Sequence, residues 1–415
     1  MIGGLMKTTS RFALAAAAGL FVGGIAFTPA NAADLGGDCC ADLEERVAEL
    51  EATTARKGNR KVSLEISGQV NRALLAWDDG QDSDAYIVDT ANSSTRVRFK
   101  GEAKMKPGWK AGFLIEVEFT DADSDAVNQI DDEGVGRGES FLNTRHANWF
   151  IESEKLGRIT LGQTSGATDD LTLINLGGSI DDPASNYAGG FFVTDRSGRS
   201  NNLNWVELAD GLDSARGDFV RYDSPSIYGF ILSTAWGEND VYDIALRFKK
   251  EWNSIRIAAG VGFYSEQEGS VDAFVAREEL KGSLSVMHVP TGLYATFAAG
   301  EIEYDNRDAD EAQFYYLQLG IDKKFFSYGA TTIYGLYGYY EDFSNARTFD
   351  FDGVNQILVG SEVDRFGFGV TQKFDSAALE LYGVFNYYEA DLEGSISNVE
   401  SEEWMGVALG ARIKF

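Results

Sequence analysis

Trp404-Met405-Gly406-Val407-Ala408-Leu409-Gly410-Ala411-Arg412-Ile413-Lys414-Phe415 is the stretch that decides the fold. Successive side chains of an extended strand point to opposite faces. Met405, Val407, Leu409, Ala411, Ile413 and Phe415 therefore form one unbroken apolar row. Trp404, Gly406, Ala408, Gly410, Arg412 and Lys414 point the other way. At the edge of a soluble sheet such a row would be exposed and sticky. In a transmembrane barrel it is the lipid-facing side of the closing strand.

The same period of two runs upstream to Val62. Arg96, Arg98, Lys100, Glu102 and Lys104 alternate with Val97, Phe99, Gly101, Ala103 and Met105, and Ala111, Phe113, Ile115, Val117 and Phe119 alternate with Lys110, Gly112, Leu114, Glu116 and Glu118. Tyr242–Lys249, Ile255–Tyr264 and Arg365–Thr371 repeat the pattern. A soluble sandwich also alternates, so the connections must arbitrate. Tight turns at Lys106-Pro107-Gly108, Asp223-Ser224-Pro225-Ser226 and Ser327-Tyr328-Gly329 alternate with long polar inserts at Asp78–Asp89, Asp121–Glu139, Tyr304–Glu311 and Asp342–Gly360. Short turns on one rim and long loops on the other belong to an outer-membrane barrel. Phe325-Phe326, Tyr337–Tyr340 and Tyr387-Tyr388 suit interfacial aromatic girdles. The expected fold is all-β: a transmembrane, antiparallel, up-and-down barrel over residues 62–415, with about 16 strands and an aqueous lumen. Asn201–Leu208 reads either as an extra strand or as part of a loop.

Composition narrows the functional classes. The formal charge of −29 leaves no basic footprint for nucleic acid. Lys7 and Arg11, the apolar run Phe12–Phe27 and Ala30-Asn31-Ala32 read as a signal peptide over residues 1–32; a membrane anchor is the rival reading. Leu43, Val47, Leu50 and Thr54 recur at helical spacing. Residues 33–61 are thus expected to form a short periplasmic helical segment, a coiled coil if the chain oligomerises or a frayed tail if it does not. The adjacent Cys39 and Cys40 lack zinc spacing and suit a vicinal or intermolecular disulfide in an oxidising periplasm.

Ser94-Thr95-Arg96-Val97-Arg98-Phe99-Lys100-Gly101-Glu102 followed by Gly108–Glu116 resembles the early hairpin of Gram-negative general porins. Leu156–Gln163 resembles their strand before the third loop, and Phe219–Pro225 their Val-Arg-Tyr-Asp-Ser-Pro turn. The terminal Phe415 resembles the assembly signal of outer-membrane barrels, and the block from Cys39 to Gln69 is similar to that of alphaproteobacterial porins. The resemblance implies a trimer of barrels in the outer membrane of a Gram-negative bacterium. Each would be a passive, water-filled channel for ions and small hydrophilic solutes, narrowed by an inward-folded third loop.

That loop is expected at about residues 164–200, and its Asp169, Asp170, Asp181, Asp182 and Asp195 supply an acidic side. Arg96, Arg98, Lys100 and Arg158 supply a basic wall by parity, with Arg72 and Arg221 as further candidates of uncertain face. Opposed acidic and basic side chains set up a transverse field that orients dipolar solutes and sets ion preference. The bland reading is ordinary lumen polarity. No cofactor or nucleotide motif is visible. Asp121, Asp123, Asp125 and Asp132 have an EF-hand-like cadence, but Ala126 stands where the turn glycine is required; the segment reads as a solvated loop, with cation bridges to lipopolysaccharide as a weaker possibility. No nucleophile motif surrounds a serine, so the chain reads as no enzyme, a lipase-like site at His146 being the residual alternative; His288 reads as structural. The rival transport reading is a substrate-specific channel with an aromatic slide or arginine ladder. The rival from another class is a structural or adhesive barrel, with the N-terminal helix touching the cell wall.

Overall fold

The computed structural model describes residues 61–134, 142–184, 187–214, 216–238, 240–267, 277–304, 311–344, 347–351 and 353–415. The expected signal peptide and N-terminal helical segment, together with Cys39 and Cys40, lie outside the described residues. The strands are β1 (Ser63–Asp78), β2 (Ser83–Asp89), β3 (Arg96–Lys106), β4 (Trp109–Phe119), β5 (Leu142–Ser153), β6 (Gly157–Ser165), β7 (Phe192–Asp195), β8 (Gly198–Asn204), β9 (Arg216–Asp223), β10 (Phe230–Gly237), β11 (Val241–Trp252), β12 (Ile255–Glu266), β13 (Arg277–His288), β14 (Leu293–Tyr304), β15 (Ala312–Phe326), β16 (Gly329–Glu341), β17 (Thr348–Phe351), β18 (Val354–Phe374), β19 (Leu379–Gly394), β20 (Val399–Glu400) and β21 (Trp404–Lys414). Leaving aside the short β2, β7, β8, β17 and β20, the remaining strands form the wall, each antiparallel to its neighbours, and β21 returns to β1. The result is a closed barrel of 16 strands. Closure leaves no free sheet edge, the condition for placing strands in lipid. Among the described residues no helix is long and apolar enough to cross a membrane.

The period of two sorts the side chains as expected. Leu246, Val261, Leu284, Phe297, Leu317, Phe366 and Phe368 face outward and are exposed. Their lumen-facing neighbours, such as Asp243, Lys281, Ser285, Thr296, Gln318 and Arg365, are buried. The tight turns lie on the rim where Phe415 and Gly68 exchange backbone hydrogen bonds of 2.9 and 3.0 Å. There Pro107 presets one turn dihedral and Gly108 takes a φ of +74°, closing β3 onto β4 in two residues.

Three expectations need correction. The insert after Asp78 is not all loop: β2 pairs Arg72–Asp78 of β1 from Asp89 back to Ser83. The insert after Asp342 contains β17 and the start of a 21-residue β18. The aromatic pairs do not all belong to a girdle: Tyr337 is exposed, whereas Tyr340 and Tyr388 point inward and are buried.

What buries them is the connection between β6 and β9. This segment leaves the rim, folds into the lumen, forms the β7–β8 hairpin and the one-turn helix α1 (Trp205–Leu208), and returns to β9. Asn201–Leu208 is therefore part of this loop, and the loop reaches well beyond residue 200. Its Tyr187, Phe191, Leu203 and Trp205 pack against Trp77, Tyr388 and Trp404 of the wall. The apolar core of this barrel thus lies inside it, between the loop and one side of the wall. The fit is close: a Cβ on Gly177 would stand 2.2 Å from Cζ of Tyr294, so only glycine lets the chain lie on that ring.

Candidate functional site

The loop is fastened along β11 to β19 by hydrogen bonds to its own backbone. Arg247 donates to the carbonyls of Ala167 (2.7 Å) and Asp169 (2.5 Å). The hydroxyl of Ser283 donates to the Leu171 carbonyl at 2.5 Å, and the Leu176 amide donates to Ser285 Oγ at 3.0 Å. Lys281, fully buried, donates to the Leu212 carbonyl at 2.7 Å and holds the returning limb. Farther along, Arg365 reaches three loop acceptors: Asp181 Oδ1 at 2.5 Å and the carbonyls of Asp182 (2.9 Å) and Pro183 (3.5 Å). Asn386 completes this knot, accepting from Arg365 at 3.0 Å and donating to Asp181 Oδ2 at 3.1 Å.

With that side filled, the opposite wall of β3 to β6 and β9 carries the cations. Arg96 and Arg98 both reach Glu116, at 3.3 and 2.5 Å. Lys100 pairs with Glu102 at 3.2 Å. Arg158 lies over the Phe150 ring, 3.8 Å from its centroid, and donates to Thr160 Oγ1 at 3.1 Å. Arg221 is on the lumen side, donating to the carbonyls of Ser165 and Gly166 and to Asp223. Arg72 is not on the lumen wall. It alternates with Asn71 and Ala73, which are buried, shares the face of the exposed Val70 and Leu74, and pairs with Asp89 at 3.3 Å and Asp121 at 2.9 Å.

Arg145 joins the basic wall unforeseen. The β4–β5 register shifts between Glu116 and Val117, so Glu116 faces His146 and Val117 faces Thr144, leaving Arg145 as the extra residue. A bulge of this kind re-aims a side chain against simple alternation. Arg145 thereby reaches Glu116 at 3.0 Å and Glu118 at 2.5 Å. Alternation alone assigns it to the outer face, and no local sequence signal marks the bulge.

The acidic residues divide between two places. Asp181 and Asp182 sit in the Arg365 knot. Asp169 and Asp170 lie at the neck of the loop, where the outgoing limb meets Asp213 of the returning limb. The Asp170 amide donates to Asp213 Oδ1 at 2.9 Å, and Thr168 and Ser214 hydroxyls bond at 2.8 Å. Burial raises the Asp213 carboxyl to about 8, and the nearby Asp169 and Asp170 carboxylates add to this. Asp170 is exposed at one side yet largely surrounded by protein; that burial, then the Asp169 charge, raises it too. Asp195 is at the β7–β8 turn, accepting from Ser197 and Gly198, away from the neck. His146 is half-buried, its Nδ1 lacks a hydrogen-bond partner, and no serine bonds to it among the described residues. His288 Nδ1 meets Thr291 Oγ1 at 2.8 Å within a turn. The four aspartates of the loop after β4 do not converge on one point among the described residues; Asp121 instead pairs with Arg72.

A closed barrel with a loop folded inside and charged side chains lining what is left open is a channel. The family model for Gram-negative porins matches residues 13–392. The chain belongs to the Gram-negative porin family. It is an outer-membrane, multi-pass channel for passive diffusion. Solved structures with the same fold include the anion-selective porin from Comamonas acidovorans (14% identity, 85% of this chain and 100% of that chain, TM-score 0.54). They also include OmpF of Salmonella typhi in complex with daunomycin (12%, 86% and 98%, 0.53). A third is OmpT, an outer membrane protein of Vibrio cholerae, in its trimer form (12%, 85% and 99%, 0.53). No curated protein matches the chain in sequence.

Proposed function

We propose that this porin is a general-diffusion pore for ions and small hydrophilic solutes. Its eyelet lies between the neck of the inward loop and the basic wall. One observation carries this reading: the loop is bound along β11 to β19, so solute must pass the side lined by Arg96, Arg98, Lys100, Arg145 and Arg158. Asp169 and Asp170, with Asp213, supply the acidic side. Asp181, fully buried against Arg365, and Asp182, whose carbonyl Arg365 also binds, are assigned to anchoring. The two-sided field orients dipolar solutes and sets ion preference. Tyr294, Tyr316, Tyr334 and Tyr340 line the wall but are covered by the loop, which speaks against an aromatic slide for a specific substrate. No catalytic role is proposed for His146.

We further infer a homotrimer, as the OmpT trimer form suggests, embedded among lipid and lipopolysaccharide. Residues 1–32 act as signal peptide and 33–61 as a periplasmic segment that clamps the trimer or meets the cell wall, while Phe415 marks the barrel for assembly. The decisive experiment is single-channel conductance of refolded protein in a planar bilayer under a salt gradient. Stepwise openings in threes support a trimeric open pore. Folded protein that never conducts would move the reading to a structural or adhesive barrel.

A further inference from the structure

On the periplasmic side of the eyelet two lumen-facing cations share one aromatic ring. The ring is Phe150 of β5, which the register sets between Gly112 of β4 and Thr160 of β6. Gly112 and Phe150 lie nearer the rim of tight turns than Glu116 and His146 of the same two strands. A Cβ on Gly112 would stand 2.5 Å from Phe150 Cζ, so only glycine there lets the ring lie across β4. The Arg158 guanidinium covers the ring 3.8 Å from its centroid, and Lys110 Nζ approaches it at 5.9 Å. Beneath them Phe150 is 1% exposed.

Arg158 has a carboxylate on either side and pairs with neither. Across the ladders it faces Glu152 of β5 and Asp223 of β9. Glu152 pairs with Lys110 at 3.2 Å and Asp223 with Arg221 at 2.8 Å. Glu102 is shared by Lys100 and Lys110, at 3.2 and 3.4 Å, and Glu65 faces Lys100 from β1. Among the described residues Arg158 donates through Nε alone, to Thr160 Oγ1. Both Nη groups are left over, on a fork whose plane the ring fixes. Lys104 stands directly opposite Lys110 on the same face and has no carboxylate partner among the described residues. Like charges so placed disfavour strand pairing, and an anion between them would relieve the repulsion.

We propose that Arg158, Lys104 and Lys110 form a binding site for small polyanionic solutes, phosphoryl groups foremost, below the eyelet. The site rests on the general-diffusion reading and gives the pore a preferred solute class. The stacked guanidinium offers two parallel N–H donors to two oxygens of one anionic group. Its orientation is already fixed by Phe150, so binding has little left to order. The lysines act as point charges for a second anionic group. A polyanion that passes the eyelet along the basic wall meets these cations next on the same wall. Weak binding at successive sites hands a solute on without trapping it.

The test is block of the potassium chloride current by sodium pyrophosphate, with the full refolded chain in a planar bilayer. The variants are Arg158→Gln, Arg158→Lys and Phe150→Leu, each checked for folding by heat-modifiable migration on gels. Lys249→Gln is the control, since alternation sets Lys249 on the lumen face of β11. The half-blocking concentration should rise about tenfold in both Arg158 variants. Arg158→Lys is the sharper probe, because it keeps the charge and removes the fork. Phe150→Leu frees the guanidinium with no change of charge and should raise the value about threefold, while the control stays at the parental value. Parental block in Arg158→Lys, or equal weakening by Lys249→Gln, overturns the site, the anion then being held by lumen charge at large. Openings that millimolar pyrophosphate does not block also overturn it and leave the channel reading standing. Folded protein that never opens counts against the channel reading instead. Pyrophosphate calorimetry then decides the site: heat lost in Arg158→Lys upholds it, and unchanged heat refutes it.

Discussion

Replacing Arg365 with Met should free one stretch of the inward loop while leaving the barrel intact. The guanidinium and its partner Asp181 are both essentially inaccessible to water. Removing one member of such a pair leaves an uncompensated buried charge and costs about 3–5 kcal/mol. In this protein the lower end applies, because Asp181 keeps its 3.1 Å hydrogen bond from Asn386. At 1.4 kcal/mol per tenfold, ~3 kcal/mol raises the open population of the segment ~150-fold. The rest of the loop stays bound through Arg247, Ser283 and Lys281, whose partners lie on other residues. Opening can be read at Ile180, 6% exposed in the closed loop, by labelling Ile180→Cys with a charged thiol reagent in a background where Cys39 and Cys40 are serine. Arg365→Met should label about a hundred times faster than its parent. Adding Asp181→Leu should reverse most of that gain, since removing both charges is far cheaper than stranding one. A single variant labelling at the parental rate, or a double variant labelling faster still, would refute the account of the knot as the loop's anchor.

Other perturbations probe different parts. The Tyr334 hydroxyl is buried without a partner, whereas that of Tyr294 donates to Gln318 at 3.0 Å; Tyr334→Phe should be neutral or slightly stabilising and Tyr294→Phe should cost about 1 kcal/mol, read by thermal melting. In the loop after β4, burial and then the Asp125 charge raise the Asp123 carboxyl to about 8. Because the docked loop holds a proton that the free loop releases, its docking is full below the ordinary aspartate value of 3.8 and is lost as pH rises through about 8. Amide exchange protection of residues 121–128 should fall across that window and become flat in Asp123→Asn; a parent already flat contradicts the argument. At barrel closure, a Cβ on Gly68 would stand 2.4 Å from the Arg96 carbonyl and 2.6 Å from Phe415 Cζ. Gly68→Val should therefore lower the yield of heat-modifiable folded barrel on gels; a parental yield contradicts the argument.

Much of the barrel was legible because a period of two is a local property. Arg98 and Lys100 could be assigned to the lumen, and Phe366 and Phe368 to lipid, from the chain around them alone. Partners are another matter. Arg365 was visibly a lumen residue, but the carboxylate that neutralises it lies 184 positions earlier, and nothing near either residue announces the other. Arg145 was hidden for a different reason: one extra residue in β5 inverts the parity that would place it. Asp213 escapes a reading that ends the loop near residue 200, before its returning limb, because a site made by two limbs cannot be seen from one. The adjacent tyrosines Tyr339-Tyr340 and Tyr387-Tyr388 read as belts, yet adjacency in a strand itself requires one of each pair to turn inward.

The charges carry the same lesson about what selectivity depends on. A formal charge of −29 suggests a cation channel, but charge acts on a solute only where the solute passes and only where it is not already matched. Above the outward apolar band, Glu278 faces Glu303 across β13 and β14, Glu341 faces Glu362 across β16 and β18, and Glu362 faces Asp391 across β18 and β19. Like charges directly opposite disfavour pairing and are tolerable here because they stand on the outer rim, where water and counter-ions reach them. They contribute to the net charge and almost nothing to the eyelet. Inside, Arg96, Arg98 and Arg145 share Glu116 and Glu118, so this cluster contributes a surplus of one positive charge rather than three. A surplus that small can be outweighed by a few carboxylates, so the side chains beside the solute's path, rather than the net charge, decide the sign of the pore.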